Sequence, residues 1–170
     1  VFPEQKRNLI WIYMESAETT FQDVPNGGMM DQNLIPEMTT LAKENISFSQ
    51  TDKISGAAVA PACGWTIAGL VAQTSGLPLK LFTFDEKKAD NAMNKYTSFL
   101  PGAVSLGEIM EDAGYHNVFM AGSDFDFGGR TDYFTQHGNY EIIDCKSEKK
   151  ATLPEEYLAG WGMEDRKLYM

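Results

Sequence analysis

The chain has no block rich in lysine and arginine, and its 14 basic residues are outnumbered by 24 acidic ones, a net charge of −10. A protein that grips a phosphate backbone needs a positive stripe, so nucleic acid is not expected as a partner. The same charge opposes electrostatic docking on anionic lipid. No apolar run approaches the eighteen or so residues that span a bilayer, and no signal peptide stands at Val1. The opening Val1-Phe2-Pro3-Glu4 lacks a methionine and reads as a piece cut from something longer. Cysteine is scarce. Cys63 and Cys145 could pair in an oxidising compartment or remain two free thiols. Internal repeats and low-complexity segments are also missing.

What is present is enough apolar residue, 43% of 170, for one globular domain with a core. The run Leu9-Ile10-Trp11-Ile12-Tyr13-Met14 is apolar at every position and predicts a central parallel strand. Glu15 follows it, a carboxylate at a strand's carboxyl end, where open α/β sheets place ligands. Pro25-Asn26-Gly27-Gly28 marks a loop, Leu34 to Glu44 a helix with an early proline, and Ile46 to Gln50 a short alternating strand. A Gly/Ala loop from Ser55 to Ala62 leads to a helix beginning at Thr66 and ending near Ser75-Gly76-Leu77-Pro78. Residues 79 to 100 give no clear pattern, with Asp85-Glu86-Lys87-Lys88 a solvated charge run. Ser105 and Glu108 form a capping-box pattern for a helix over Leu106 to Ala113. Strands follow at Asn117 to Ala121 and Tyr140 to Asp144, around a loop at Asp126 to Gly129 and a short helix at Thr131 to His137; Glu164 to Tyr169 starts another helix. Helices alternating with strands predict an α/β layer.

Thr66 is the first candidate for chemistry. It stands where a glycine-containing loop enters an apolar helix, so unpaired N–H groups and the positive helix end surround it, which suits a phosphate. The competing reading is an ordinary threonine N-cap. Glu15 has its own plain alternative as a solvated residue at a strand end. A hydroxyl at a helix start and a carboxylate at a strand end could share one metal ion.

Four pieces, Ile12-Tyr13-Met14-Glu15-Ser16, Leu34-Ile35-Pro36-Glu37-Met38-Thr39-Thr40-Leu41-Ala42, Gly64-Trp65-Thr66-Ile67-Ala68-Gly69 and Gly128-Gly129-Arg130-Thr131-Asp132-Tyr133-Phe134, occur in a telling order and spacing. Together they resemble the phosphoglycerol transferase and lipoteichoic acid synthase family, in the sulfatase-like branch of the alkaline phosphatase superfamily. Trp65-Thr66-Ile67-Ala68-Gly69 looks most like the phosphoglycerol transferase I group. The resemblance implies a mostly parallel central sheet flanked by helices, of which residues 1–170 are the amino-terminal portion. It implies that Thr66 attacks the phosphorus of a phosphatidylglycerol head group and carries a phosphoglyceryl ester to a glycan or polymer acceptor. Glu15 and Thr66 would hold Mn²⁺ or Mg²⁺, and Arg130 would grip phosphate. A bacterial membrane location is implied too, with the catalytic domain outside the cytoplasm and anchored by a segment outside this chain.

The pattern is incomplete here. The family completes its metal site with an Asp-His pair far downstream, whereas His116 follows Tyr115 and His137 follows Gln136. The piece alone is therefore expected to bind metal poorly and not to turn over. Lipoteichoic acid synthases carry Trp-Asn where this chain has Gly128-Gly129. Cys63 is a rival nucleophile by analogy with sulfatases, but the sequence after it, Gly64-Trp65-Thr66-Ile67, lacks their signature; it reads as a buried structural thiol. His116 and His137 read as surface or loop-end histidines outside the site. Two other readings stay open: a phosphoethanolamine transferase or phosphodiesterase of the same superfamily, and a non-catalytic domain that binds a glycerol-phosphate polymer.

Overall fold

A computed structural model describes residues 2–80, 98–146, 158–159 and 162–168. The chain divides into two units, Pro3–Ala60 and Pro61–Met170. The charge run at Asp85 to Lys88 lies outside the described residues.

In the first unit the backbone is knitted by turns rather than by a sheet. Asp23 caps a tight turn by accepting from the Asn26 backbone N–H (3.1 Å) and side chain (2.6 Å). Gly27 then turns left-handed at φ 108°. The returning strand of chain closes on the first, Met29 N–H donating to Thr20 O (3.0 Å) and Leu34 N–H to Phe21 O (2.9 Å). Helix α1, Pro36–Glu44, begins with proline at its first turn, where no N–H is needed. Asn33 supplies what its Ile35 cap cannot, accepting from the Ile35 N–H (3.0 Å) and donating to the Thr39 hydroxyl (2.8 Å). The buried residues of this unit are Gln22 and Thr39, both polar.

Two expectations fail here. Leu9 to Met14 is not a buried strand: no strand is assigned over it, and Ile10 and Ile12 are 83% and 66% exposed. Ile46 to Gln50 is not a strand either, with Ile46 and Phe48 at 88% and 85%. The physical reason is the same for both. Apolar patterning marks what a segment can bury, but a strand forms only where another strand accepts its hydrogen bonds, and none of the described residues does so.

The second unit has the core. Helix α2, Thr66–Ser75, buries Ile67, Ala68, Leu70, Val71 and Thr74, and stops at Gly76, whose φ of 71° is the left-handed geometry of a helix end. Helix α3, Leu106–Asp112, opens with the full capping box: Glu108 N–H donates to Ser105 Oγ (3.3 Å) while Ser105 N–H donates to Glu108 Oε2 (2.7 Å). Burial pushes the Glu108 carboxyl up, but the Ser105 N–H and His137 together hold it below its ordinary value. Strand β1, Val118–Met120, runs parallel to β2, Glu141–Ile143, in the register Val118 to Glu141 and Met120 to Ile143. Helix α4, Arg130–Gln136, connects them, a short βαβ crossover. Beyond it, β3, Leu158–Ala159, pairs antiparallel with β4, Gly162–Met163, and α5 spans Asp165–Leu168. Met163 N–H donates to Gly122 O (2.8 Å), fastening β4 to the end of β1.

Aromatic stacking holds the crossover together. Phe119 of β1 lies 3.9 Å from Phe134 of α4 and 4.6 Å from Phe125, centroid to centroid. Tyr133, fully buried, packs on Phe99 at 5.1 Å and shares a buried hydrogen bond with Thr74 of α2 (2.7 Å). Each such aromatic contributes about 1.5–3 kcal/mol by burial. The α/β class is therefore correct at the level of mixed helix and strand with a small parallel sheet. The predicted helices and the two later strands fall within a residue or two of their places.

Two consequences are measurable. A Cβ at Gly107 would lie 2.3 Å from His137 O and from the Tyr140 ring, and one at Gly102 meets nothing within 4 Å. Gly107→Ala is expected to destabilise by about 1–3 kcal/mol and Gly102→Ala to change little, by thermal unfolding followed with circular dichroism; equal midpoints would contradict this packing. Thr74→Val strands the buried Tyr133 hydroxyl, at about 1–3 kcal/mol, whereas Tyr133→Phe leaves Thr74 still donating to Leu70 O (2.8 Å) and costs about 0.5–1.5. Denaturant titration of both variants should give that order; the reverse order would refute it.

Candidate functional site

The start of α2 is the candidate site. Ala62 adopts the left-handed φ of 61°, Leu79 N–H ties the turn down through Ala62 O (3.1 Å), and the chain enters the helix through extended Trp65. Trp65, not Thr66, is the N-cap, and it makes no side-chain cap bond. Thr66 is thus the first helical residue, as the sequence predicts, but it is not the ordinary cap. Its half-buried hydroxyl has no hydrogen bond to any described residue. Gly69 N–H to Trp65 O (2.8 Å) is the first bond of the helix, so the N–H groups before it point out of the helix end without an intrahelical partner. The Trp65 indole N–H beside them is buried and unpartnered among the described residues. Uncommitted donors, the positive end of ten aligned peptides and a hydroxyl together can accept an oxyanion.

Arg130 lies in the same unit, buried at 8% exposure. Its position comes from the two glycines before it: Gly128 and Gly129 both take φ 72°, a turn that L side chains resist, and α4 starts at once. The guanidinium donates through Nε to Phe127 O (3.1 Å), through Nη1 to Ser123 Oγ (3.0 Å) and through Nη2 to Asp124 O, and it lies 5.1 Å over the Phe125 ring. Arg130 therefore organises the loop from Ser123 to Gly129. Asp144, also buried, supports the same loop by accepting from Phe125 N–H (3.1 Å). Lys146 spans Asp124 (2.7 Å) and Asp126 (3.0 Å) on its outer side. The Lys146 hydrogen bond holds the Asp124 carboxyl below its ordinary value, and those two carboxylates hold the ammonium above its own.

Glu15 belongs to the first unit, exposed in a turn with Ser16 at φ 56°. It does not sit at the end of a buried strand, because Leu9 to Met14 is not one. Thr66 and Arg130 share the second unit. Among the described residues no group of three or more His, Cys, Asp and Glu could hold a metal ion. Neither Glu15 nor Thr66 therefore stands in a complete set of ligands for Mg²⁺ or Mn²⁺ among the described residues.

His137 corrects one expectation. It ends α4 but is buried, at 4% exposure, with Nε2 2.6 Å from Phe99 O and Nδ1 3.1 Å from Glu108 Oε2. Its own carbonyl accepts from Ser105 Oγ (2.7 Å). This network was not read from the sequence; the only local signal is that His137 precedes Gly138 at a helix end. His116 is at the surface as expected, paired with Glu141 (3.0 Å). Both cysteines are free, and Cys63 is half-buried rather than buried. No described helix is long and apolar enough to cross a membrane.

Comparison with known proteins yields no matching family model and no matching solved structure. Curated sequences do match. The chain is 31% identical over 161 residues, 95% of its length, to phosphoglycerol transferase I of Xanthomonas euvesicatoria pv. vesicatoria strain 85-10, and it covers 21% of that protein. It is 33% identical over 96% of its length to phosphoglycerol transferase I of Xanthomonas campestris pv. campestris strain B100, again covering 21%. For the protein of that name from Escherichia coli strain UTI89 the figures are 34%, 96% and 19%. The chain thus spans about a fifth of the length of the curated relatives it matches. The likeness carried by four short motifs extends over nearly the whole sequence, and the family it resembles is that of the phosphoglycerol transferases.

Proposed function

We propose that this chain is the amino-terminal portion of a sulfatase-like catalytic domain that transfers phosphoglycerol, with Thr66 as its nucleophile. The observation that carries the reading is the Thr66 hydroxyl at the head of α2: it is not used as a cap and stands among unpartnered backbone N–H groups. Similarity to proteins named phosphoglycerol transferase I supports the transferred group.

In the proposed reaction the Thr66 oxygen attacks the phosphorus of phosphatidylglycerol. An O–P bond forms, the P–O bond to diacylglycerol breaks, and the departing alcohol takes up the proton that threonine gives up. An acceptor hydroxyl on a cell-envelope glycan or glycerol-phosphate polymer then displaces Thr66, which recovers its proton. The helix N-terminus stabilises the phosphoryl oxygens in both steps through its N–H groups. Arg130, held by the Ser123 to Gly129 loop, is the guanidinium proposed to meet phosphate, with its fork already oriented. Glu15 and Thr66 are proposed as two oxygen ligands of Mn²⁺ or Mg²⁺, the others lying outside residues 1–170, and a divalent ion would lower the cost of a threonine alkoxide. The proposed setting is the outer face of a bacterial membrane, with the anchor elsewhere in the polypeptide.

The natural polypeptide, purified through its own carboxyl end, should release diacylglycerol from phosphatidylglycerol in mixed micelles with Mn²⁺. Thr66→Ala should lower that rate at least about 10³-fold with the fold intact by circular dichroism, as expected when a group acting on the reacting atoms is removed. Preference for phosphatidylethanolamine would move the assignment to a phosphoethanolamine transferase. Unchanged turnover in Thr66→Ala would remove Thr66 as nucleophile.

A further inference from the structure

The chain just after β2 is tied to the loop that carries Arg130. Asp144, 7% exposed, accepts from the Phe125 N–H through Oδ2 (3.1 Å) and from the Lys146 N–H through Oδ1 (2.9 Å), so one buried carboxylate joins the loop to the lysine backbone. The Lys146 ammonium then spans Asp124 (2.7 Å) and Asp126 (3.0 Å). Stability does not account for this arrangement. The side chains of Lys146, Asp124 and Asp126 are 58%, 38% and 66% exposed, and ion pairs so open to water stabilise a fold little. Placement of charge does account for it. The loop sets two carboxylates beside a guanidinium proposed to meet an anion, in a chain whose net charge is already −10. The Asp124 backbone oxygen accepts from Arg130 Nη2. Its carboxyl is held below the ordinary value first by the Lys146 hydrogen bond and also by the Lys146 and Arg130 charges, so the guanidinium and this carboxylate act on one another.

We propose that Lys146 is a positioning residue that acts through Asp124 and Asp126: its ammonium offsets their negative charge, so that the Arg130 guanidinium presents a net attraction to the phosphoglyceryl group. Without Lys146, two carboxylates stand against one guanidinium and oppose an arriving phosphate. With it, the four charges sum to zero, and the guanidinium fork decides the short-range contact. Lys146 is not needed to orient that fork, whose bonds go to Phe127 O, Ser123 Oγ and Asp124 O. Its contribution is therefore to affinity for an anion, and because the ion pairs are exposed, salt screens it. The inference rests on the reading of Arg130 as the phosphate contact and names what tunes that contact; it is independent of Thr66 as nucleophile.

Calorimetric titration of the natural polypeptide with glycerol phosphate, in the presence of Mn²⁺, tests it without a transfer step. At about 0.02 M salt Lys146→Met should weaken binding about 2- to 5-fold, as loss of one charge several ångströms away in an aqueous setting does, and the difference should vanish near about 0.5 M. Lys146→Arg should restore the affinity. The double variant Asp124→Asn with Asp126→Asn breaks the same ion pairs and keeps the Asp124 Oδ1 that accepts the Asp126 N–H (3.0 Å), but it removes negative charge, so it should bind more tightly than wild type. Weaker binding in both the lysine and the asparagine variants, or a loss that salt does not screen, marks a structural role for the ion pairs and would overturn the proposal. So would unchanged affinity in Lys146→Met beside a clear loss in Arg130→Gln, which would leave the phosphate contact standing. Wild-type affinity in Arg130→Gln, or no binding by the wild type, would remove that contact and this proposal together.

Discussion

The buried hydrogen bond between Thr74 of α2 and Tyr133 of α4 is the constraint on which the candidate site depends. Ile67, Ala68, Leu70 and Val71 of α2 are buried, as are Tyr133 and Phe134 of α4. Thr74 and Tyr133, 59 residues apart in sequence, add a directional bond within that core, so α2 is fixed in place along its length as well as buried. Once it is fixed, its first residue is fixed too. Thr66 stands at the helix head because the residues behind it are pulled inward, and because Trp65 arrives in extended geometry and takes the cap position without filling it.

The same economy governs Arg130. The two left-handed glycines bring the chain round at Gly128 and Gly129, and the arginine that follows binds the loop it has just left. A guanidinium with three hydrogen bonds to one loop and an aromatic ring beneath it loses little further freedom on meeting an anion, which is the condition for preorganised phosphate contact. On the far side of α4, His137, Glu108, Ser105 and Phe99 tie the helix end to the start of α3, and the close approach of Gly107 to Gly138 makes room for that joint. These contacts are architectural. They hold in place the end of α4, the helix that Arg130 begins.

Much of this was legible because the signals are local. The Ser105–Glu108 capping box, the Gly76 stop and the alternation of helix and strand between residues 105 and 144 each depend on neighbours a few positions away. Thr66 could be placed at a helix head for the same reason. Whether it was a cap could not, since that turns on the backbone angles of Trp65. The failures are non-local. Leu9 to Met14 and Ile46 to Gln50 have strand composition, but a strand is a relation between segments, and the described residues contain no partner for either. Glu15 inherits that failure: its place at a strand end was only as good as the strand. His137 was misjudged because burial of a histidine requires acceptors from Phe99 and Glu108, about 30 to 40 positions upstream.

The central claim is that chemistry happens at the head of α2, on the Thr66 oxygen. Its most direct test is to quench the natural polypeptide during turnover with Mn²⁺ and phosphatidylglycerol, digest it, and locate the phosphoglyceryl ester by tandem mass spectrometry. The account predicts the ester on Thr66, in the peptide that contains Gly64-Trp65-Thr66-Ile67. An ester on another residue, or turnover with no protein-bound ester at any time after mixing, would contradict it.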